Sequence, residues 1–141
     1  MPMIELTAPE GALTAGGREK IQSELAAALL RWEGAPDSAF FRANAWTYLH
    51  ELPAGAQATL ADDAPRFRVD VTVPQGALSD KRKAGLVEEA TQLVLAAAGL
   101  PADDAGRVWV LFREQPEGTW GAGGNIIRVA DLAAIAARDK A

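Results

Sequence analysis

The feature that most constrains the fold of this chain is an internal repeat. Residues 4–14 read IELTAPEGALT and residues 69–79 read VDVTVPQGALS, with five identical positions and conservative changes at the other six. The offset of 65 residues that relates these segments also carries Pro36 onto Pro101. A repeat of this length is one supersecondary unit used twice, so we expect two similarly folded halves.

Each half begins with a strand and continues into a helix. Residues 3–7 alternate between two faces, as a strand requires. Thr14 and Ser79 can cap the helices that follow, and Gly34 and Gly99 can end them. Between cap and glycine, apolar residues recur at steps of three and four, which predicts one buried face on each helix.

A second strand follows each helix. Residues 45–49 and 108–112 are apolar and aromatic, which is typical of strands. A helix of about 20 residues between two strands has the length of a right-handed crossover, so the two strands of each half should be parallel neighbours. We therefore predict an α+β fold built from tandem βαβ units.

The whole chain, residues 1–141, is expected to form a single domain. Its two pseudo-symmetric βαβ units should span 1–53 and 66–129, joined by a linker at 54–65 that lacks apolar periodicity. The tail departs from the repeat. Its glycine-rich residues 120–124 predict a tight turn, followed by a possible short strand at 125–129 and a last helix capped by Asp131.

Composition excludes several classes of function. A net charge of −5 and a pI near 4.9 argue against a nucleic-acid partner, which needs a clustered basic surface. With no cysteine and a single histidine, His50, we expect neither a disulfide nor a metal site. No apolar run approaches the length of a membrane span, and no secretory signal opens the chain. The expectation is a cytoplasmic protein with no membrane or nucleic-acid partner and no cofactor.

The Met-Pro start is the strongest functional signal. If Met1 is removed, Pro2 becomes a secondary amine, which is both a base and a nucleophile, held at the start of the first strand. The alternative is that Pro2 is simply a proline tolerated at the first residue of a strand, where no ladder donor is needed.

The residues together resemble the tautomerase superfamily. The matching features are the Met-Pro start, the Glu10-Gly11 pair, Pro36 after the first helix, the segment WVLFREQP at 109–116, and WGAGG at 120–124. The likeness covers both halves, so the chain resembles the fused, two-unit members of the superfamily. The short, single-unit type is 4-oxalocrotonate tautomerase, and the long types include malonate semialdehyde decarboxylase, cis-3-chloroacrylic acid dehalogenase and macrophage migration inhibitory factor.

The resemblance implies an architecture, an assembly and a catalyst. Two units should form a four-stranded mixed sheet with two helices on one face, and three chains should form a homotrimer. Pro2 should act as the catalytic acid or base without a cofactor. Trp46, Trp109 and Trp120 could supply a dry pocket that lowers the pKa of the amine. Trp120 stands where the family has an aromatic residue that closes the pocket.

The carboxylate anchors of the family are not at their usual places. Ala12 follows the first Glu-Gly pair where such enzymes often have arginine, and tryptophans occupy the other expected arginine position. Arg107 could serve instead, and Asn44 holds the equivalent place in the first half. Antiparallel pairing of the two first strands would bring Gln75 near Pro2. These tryptophans could instead be core residues, and Arg107 an ordinary surface charge.

The sequence therefore predicts a tautomerase that moves a proton on a small 2-oxo or unsaturated carboxylic acid. One alternative is a decarboxylase or dehalogenase in which Pro2 stays protonated and acts as an acid. The other is a catalytically weak trimeric binding or scaffold protein that kept the fold and lost its anchors.

Overall fold

The structure is a computed structural model that describes residues 1–140. Its helices and strands occur in the order that the repeat predicts, with additions in the connections and the tail. The strands are β1 (Met3–Pro9), β2 (Trp46–Leu52), β3 (Phe67–Pro74), β4 (Val108–Gln115), β5 (Gly121–Ala122) and β6 (Asn125–Ile126), and the α-helices are α1 (Ala15–Glu33), α2 (Ala39–Asn44), α3 (Asp80–Ala98) and α4 (Val129–Lys140).

The four long strands form one mixed sheet in the order β2-β1-β3-β4. The pairs β1/β2 and β3/β4 are parallel, and the central pair β1/β3 is antiparallel. In each parallel pair the two strands are connected by one long helix, α1 in the first half and α3 in the second. The predicted tandem βαβ fold and mixed sheet are therefore confirmed. The central antiparallel pair joins the two units and sets their relative orientation.

Both long helices begin and end where the sequence predicts. The side-chain oxygens of Thr14 and Ser79 each accept a hydrogen bond from the backbone three residues on, at 2.9 Å and 3.2 Å respectively. Gly34 and Gly99 follow the last turns in the left-handed conformation, with φ of 73° and 66°. A hydroxyl cap at the start and a glycine at the end delimit both helices, and each helix is 19 residues long.

The core lies between the sheet and the two long helices. Alternate strand residues point into it, and the helices contribute their periodic apolar faces. The core residues include Ile4, Leu6, Val69, Val71, Ile21, Leu25, Leu86 and Val94. The opposite face of the sheet is left open, and it exposes Trp46 by 57% and Trp109 by 68%. Such exposed indoles on a sheet face are typical of a surface that contacts another molecule.

The two long helices approach each other closely at glycines. A methyl group added to Gly17 of α1 would overlap the backbone carbonyl of Ala97 in α3, and one added to Gly85 would overlap the indole of Trp32. Beside these contacts, Glu89 accepts a hydrogen bond from Trp32 Nε1 at 3.2 Å and pairs with Arg31. The helix interface therefore depends on small residues where the backbones meet.

The connections differ from the prediction in three places. A short helix, α2, begins after Ser38, whose hydroxyl accepts from Phe41 N at 3.4 Å, and a 3-10 turn spans Ala102–Arg107. The strand expected at 125–129 is limited to β6, and α4 begins at Val129, before Asp131. Asp131 lies inside the first turn, where its carboxylate accepts from Arg128 N at 2.9 Å. The glycine-rich turn is confirmed as a hairpin of β5 and β6.

None of the helices within residues 1–140 combines the length and the apolar character that crossing a membrane requires.

The close approach of α1 and α3 predicts opposite effects for two neighbouring glycines. Gly17→Ala should lower the free energy of unfolding by about 1–3 kcal/mol, because the new methyl group has no room against Ala97. Gly16→Ala is the matched control: nothing lies within 4 Å of its added methyl group, so it should be neutral or stabilise the helix by up to about 1 kcal/mol. Urea unfolding of both variants tests this, and equal stabilities would contradict the packing.

Candidate active site at the start of the first strand

Four strand ends meet at one edge of the sheet. Met3, at the start of β1, pairs with Trp46 at the start of β2 and with Thr72 near the end of β3. Thr72 in turn pairs with Arg113 near the end of β4. The antiparallel central pair therefore gathers the amino-terminal ends of one unit and the carboxyl-terminal ends of the other around Pro2.

A cavity of about 580 Å³ opens at this edge. Of the residues predicted for the site, Pro2, Asn44, Trp46 and Trp120 line it together. Its remaining lining consists of Met1, Met3, Thr72, Gln115, Thr119, Gly121, Ala122 and Gly123. This volume suits a small organic molecule, and the lining is mostly apolar and aromatic with a few neutral polar groups.

Pro2 is held firmly at the wall of this cavity. Its side chain is less than 2% exposed, and its carbonyl accepts a hydrogen bond from Trp46 N at 3.2 Å. That bond continues the parallel β1/β2 ladder by one residue beyond Met3. The proline ring is therefore a fixed part of the sheet.

Two amides of the cavity have their nitrogens engaged. Asn44 Nδ2 donates to the carbonyl of Phe40 at 2.8 Å, and Gln115 Nε2 donates to the carbonyl of Thr119 at 3.1 Å. Because a carbonyl can only accept, the atom facing it must be the amide nitrogen. The side-chain oxygens of Asn44 and Gln115 are thus the groups left free to accept a hydrogen bond.

The hairpin of β5 and β6 brings Trp120 to the cavity. Gly123 and Gly124 have φ of 61° and 83°, a left-handed conformation that glycine adopts without strain, and they allow the chain to reverse within two residues. Ile127 N donates to the carbonyl of Trp120 at 2.8 Å, which ties the two sides of the hairpin together. The glycine-rich stretch therefore positions an aromatic wall.

Gln75 lies in a second cavity that adjoins the first. This cavity, of about 400 Å³, is lined by Gln75, Met1, Glu33 and apolar residues of α2 and α4. Met1 lines both cavities. The antiparallel pairing thus brings Gln75 into the same cavity as Met1, while Pro2 itself lines the other.

Arg107 and Trp109 lie at the opposite end of the sheet. The parallel pairing of β3 and β4 places Val108 beside Phe67, far along β3 from Thr72. Arg107 is within 3.4 Å of Asp104 in the preceding turn. Within one chain, neither residue is brought to the cavity of Pro2.

Sequence reasoning missed Glu33, the last residue of α1. It is partly buried, and burial raises its pKa to about 7, although the positive charge of the nearby N-terminus acts in the opposite direction. Burial likewise lowers the pKa of the Met1 amino group, while the charge of Glu33 raises it. One signal was available: an acidic residue directly before a helix-ending glycine sits where the helix dipole favours cations.

Among residues 1–140, no three His, Cys, Asp or Glu side chains come close enough together to hold a metal ion. The ionisable groups at the cavities are the N-terminal amine and Glu33. An amine and a carboxyl group can each accept and release a proton, so proton transfer is the chemistry that these two groups could supply.

Comparison with known proteins agrees with this architecture. The family model described as "Tautomerase enzyme" matches residues 68–130, within the second half of the chain. No curated protein matches the sequence. Solved structures match along nearly the whole chain at low sequence identity, and they show the fold.

Three of these structures illustrate the likeness. Pt0534 inactivated by 2-oxo-3-pentynoate shares 22% identity and a TM-score of 0.74, covering 91% of this chain and 97% of that one. The symmetric trimer of the fused 4-OT called Q0 shares 23% identity and a TM-score of 0.72, with coverage of 96% and 98%. A macrophage migration inhibitory factor-like protein from Entamoeba histolytica shares 17% identity and a TM-score of 0.70, with coverage of 89% and 98%.

The family match over residues 68–130 and the fold shared along the whole chain agree with the resemblance that the sequence predicts: the second half of the chain matches the tautomerase family, and the whole chain has the fold of the fused 4-OT and macrophage migration inhibitory factor-like structures.

Proposed function

We propose that this protein is a cofactor-independent tautomerase in which Pro2, freed by removal of Met1, is the general acid and base. The observation that carries the proposal is the placement of Pro2, which is a rigid part of the sheet and lines a largely apolar cavity of about 580 Å³. An amine at this position would face a bound molecule without reorganisation of the backbone.

The chemistry depends on the state of one nitrogen. While Met1 is present, the nitrogen of Pro2 belongs to an amide and has no basicity. Once Met1 is removed, the nitrogen is a secondary amine whose ammonium form is disfavoured by burial, which lowers its pKa toward neutrality. The neutral amine takes a proton from the carbon next to a carbonyl, and the resulting ammonium returns it to the other end of the enolate, which completes a keto–enol exchange.

The substrate class we propose is a small 2-oxo or unsaturated carboxylic acid. Trp46 and Trp120 supply apolar walls for its carbon skeleton, whereas the cation that would bind its carboxylate is not among the residues of one chain that line the cavity. We propose that Arg107 and Trp109 of a neighbouring subunit complete the site. Both lie at the end of the sheet remote from Pro2 of their own chain, so a role in substrate binding would require them to reach the cavity of another subunit.

Assembly into a homotrimer would bring subunits together in this way. The open face of the sheet exposes Trp46, Tyr48, Trp109 and Leu111, each by more than 40%. Burying these side chains against other subunits would remove apolar surface from water. The fused 4-OT Q0, which has the same fold, forms a symmetric trimer.

A second reaction type is decarboxylation or dehalogenation with a protonated Pro2. Burial lowers the pKa of the Met1 amine overall, and the charge of Glu33 offsets only part of that lowering, so this reaction type would need a stronger influence of Glu33 on the amine of Pro2 once Met1 is removed. An amine that remains an ammonium ion at neutral pH would act as a general acid. Release of carbon dioxide or halide would distinguish these reactions from tautomerisation.

Pro2→Ala tests the catalytic role. The variant should lose tautomerase activity on phenylpyruvate or 2-hydroxymuconate by about 10²–10⁴-fold, the usual contribution of a positioned acid or base. Alanine at position 2 also permits removal of Met1. The variant and the unaltered protein therefore differ in the proline ring and its secondary amine, and both have a free N-terminus. Initial rates of enolisation, followed by absorbance, provide the measurement.

Pro53→Ala is the matched control, because Pro53 is exposed and lies just beyond the far end of β2. It should retain full activity. As a second readout, 2-oxo-3-pentynoate, which inactivates Pt0534, is expected to add to the N-terminal peptide of the unaltered protein and not to that of Pro2→Ala. Unchanged turnover in a folded Pro2→Ala variant would exclude the proline as catalyst.

Arg107→Ala tests the contribution of a neighbouring subunit. Loss of a charge-assisted hydrogen bond of about 1.5–3 kcal/mol should raise KM for a 2-oxo acid by about 10- to 100-fold, with a smaller effect on kcat. Arg18→Ala is the control, since Arg18 pairs with Glu51 and is remote from both cavities. If KM is unaltered in a variant of unchanged native mass, Arg107 does not bind the carboxylate.

A further inference from the structure

The second cavity isolates one carboxyl group among apolar neighbours. Its walls come from the end of α1 with Glu33, the turn after β3 with Gln75, one face of α4 with Leu132 and Ala136, and single residues of α2 and the chain terminus. The other lining residues are Met1, Gly34, Ala35, Phe41, Pro74, Gly76, Ala77, Val129 and Ala133. Glu33 is therefore the only ionisable side chain among the described residues that line this cavity.

The carboxylate of Glu33 has no cationic side chain as a partner within residues 1–140. The neighbouring acid Glu89 is paired with Arg31, but no salt bridge or hydrogen bond involves the Glu33 carboxylate itself. Arg82 of α3 comes near, yet its guanidinium donates to the backbone carbonyl of Glu33 at 3.2 Å. A partly buried acid without a side-chain partner is unusual, because its ionised form is poorly solvated.

The chain terminus lies at the junction of the two cavities. Met1 lines both of them, and Pro2 lines the first. Removal of Met1 would vacate the space between the cavities and leave the nitrogen of Pro2 as the group at that junction. The nitrogen of Pro2 lies beside the first cavity, which Trp46 and Trp120 line, and it is bonded to Met1, whose removal would open the space between this nitrogen and the cavity of Glu33.

We propose that Glu33 is a positioning residue for Pro2: its carboxylate faces the free amine across the second cavity and stabilises the ammonium form. This inference rests on the proposed role of Pro2 and adds the group that sets its protonation state. Glu33 would act through the amine and need not touch the substrate, which occupies the first cavity.

Two opposing effects then determine the pKa of the amine. Burial lowers the pKa of the amine because the ammonium ion is desolvated, and an ionised Glu33 raises this pKa by charge attraction. The same two directions apply to the amine of Met1, where burial is the larger effect. Burial also raises the pKa of Glu33 to about 7, so the negative charge near the amine would change around neutral pH. Glu33 thus decides how much of Pro2 is an acid at neutral pH.

Few other charges enter this balance. On α3, Arg82 lies beside the backbone of Glu33, and its positive charge favours the ionised carboxylate. The parts of α2, α4 and the turn after β3 that line the cavity carry no ionisable side chain. The amine and Glu33 are therefore the principal titrating groups of the cavity.

The test is a titration of the Pro2 nitrogen by ¹⁵N NMR in protein labelled with [¹⁵N]proline and lacking Met1. Glu33→Gln removes the negative charge and keeps the shape, so the pKa of the amine should fall by about 1 unit or more. The acidic limb of the pH profile of kcat/KM should move by the same amount in the same direction.

Two further variants separate charge from structure. Glu33→Asp keeps the charge and should restore most of the original pKa. Glu19→Gln makes the same charge change at an exposed position of α1 and should leave the amine unaffected. An amine whose pKa is the same in Glu33→Gln as in the unaltered protein would overturn the inference.

The outcome is independent of whether Pro2 is catalytic. If Pro2→Ala retains activity, the proposed function fails, while the NMR titration still reports whether Glu33 and the amine interact. If Pro2→Ala is inactive and the amine of Glu33→Gln titrates normally, the function stands and the role of Glu33 is rejected.

Discussion

The antiparallel pairing of β1 with β3 is the interaction on which the rest of the structure depends. Each βαβ unit alone would hold two parallel strands under one helix. Pairing Met3 with Thr72 and Thr7 with Arg68 fuses the two units into one sheet and places both helices on one face. It also fixes which strand ends meet, since it turns the second unit against the first. The cavity of Pro2 exists at the edge where β1 and β2 begin and β3 and β4 end.

The same pairing explains why the two halves are not equivalent. The repeat relates β1 to β3, and the position that corresponds to Pro2 is Phe67, which is 2% exposed and part of the core. A chain terminus can reach the sheet edge only at β1, because β3 is preceded by the connection from β2. Although the two halves share one fold, only the first half can therefore place a chain terminus at the sheet edge.

The repeat predicted the fold because its signals are local. Thr14, Ser79, Gly34 and Gly99 act on their own helix ends, and the right-handed crossover follows from helix length. Asn44, Trp46 and Trp120, which the sequence offered as substrate-binding residues, line the cavity of Pro2, and their role in binding stays a prediction. Asn44 and Trp46 lie at the junction of α2 with β2, and Trp120 lies just before the hairpin, so local order was sufficient to place them.

The positions of the other residues that we propose for the site depend on contacts that local signals do not specify. Arg107 and Trp109 lie at the start of β4, and parallel pairing with β3 takes that start to the far end of the sheet. Glu33 and Met1 line one cavity whose other walls include α4 and the turn after β3, which are distant from both residues in sequence or in the repeat pattern. The helix α2 was missed because six residues are too few for a periodic pattern, although Ser38 was a usable cap signal.

The measurement that tests the central claim most directly is the intact mass of the purified protein, taken on the same sample as its turnover. We predict that the active chain lacks Met1, so that the secondary amine of Pro2 is free at the cavity. A sample in which every chain retains Met1 and that nevertheless catalyses keto–enol exchange would contradict the account, because the nitrogen of Pro2 would then be an amide without basicity.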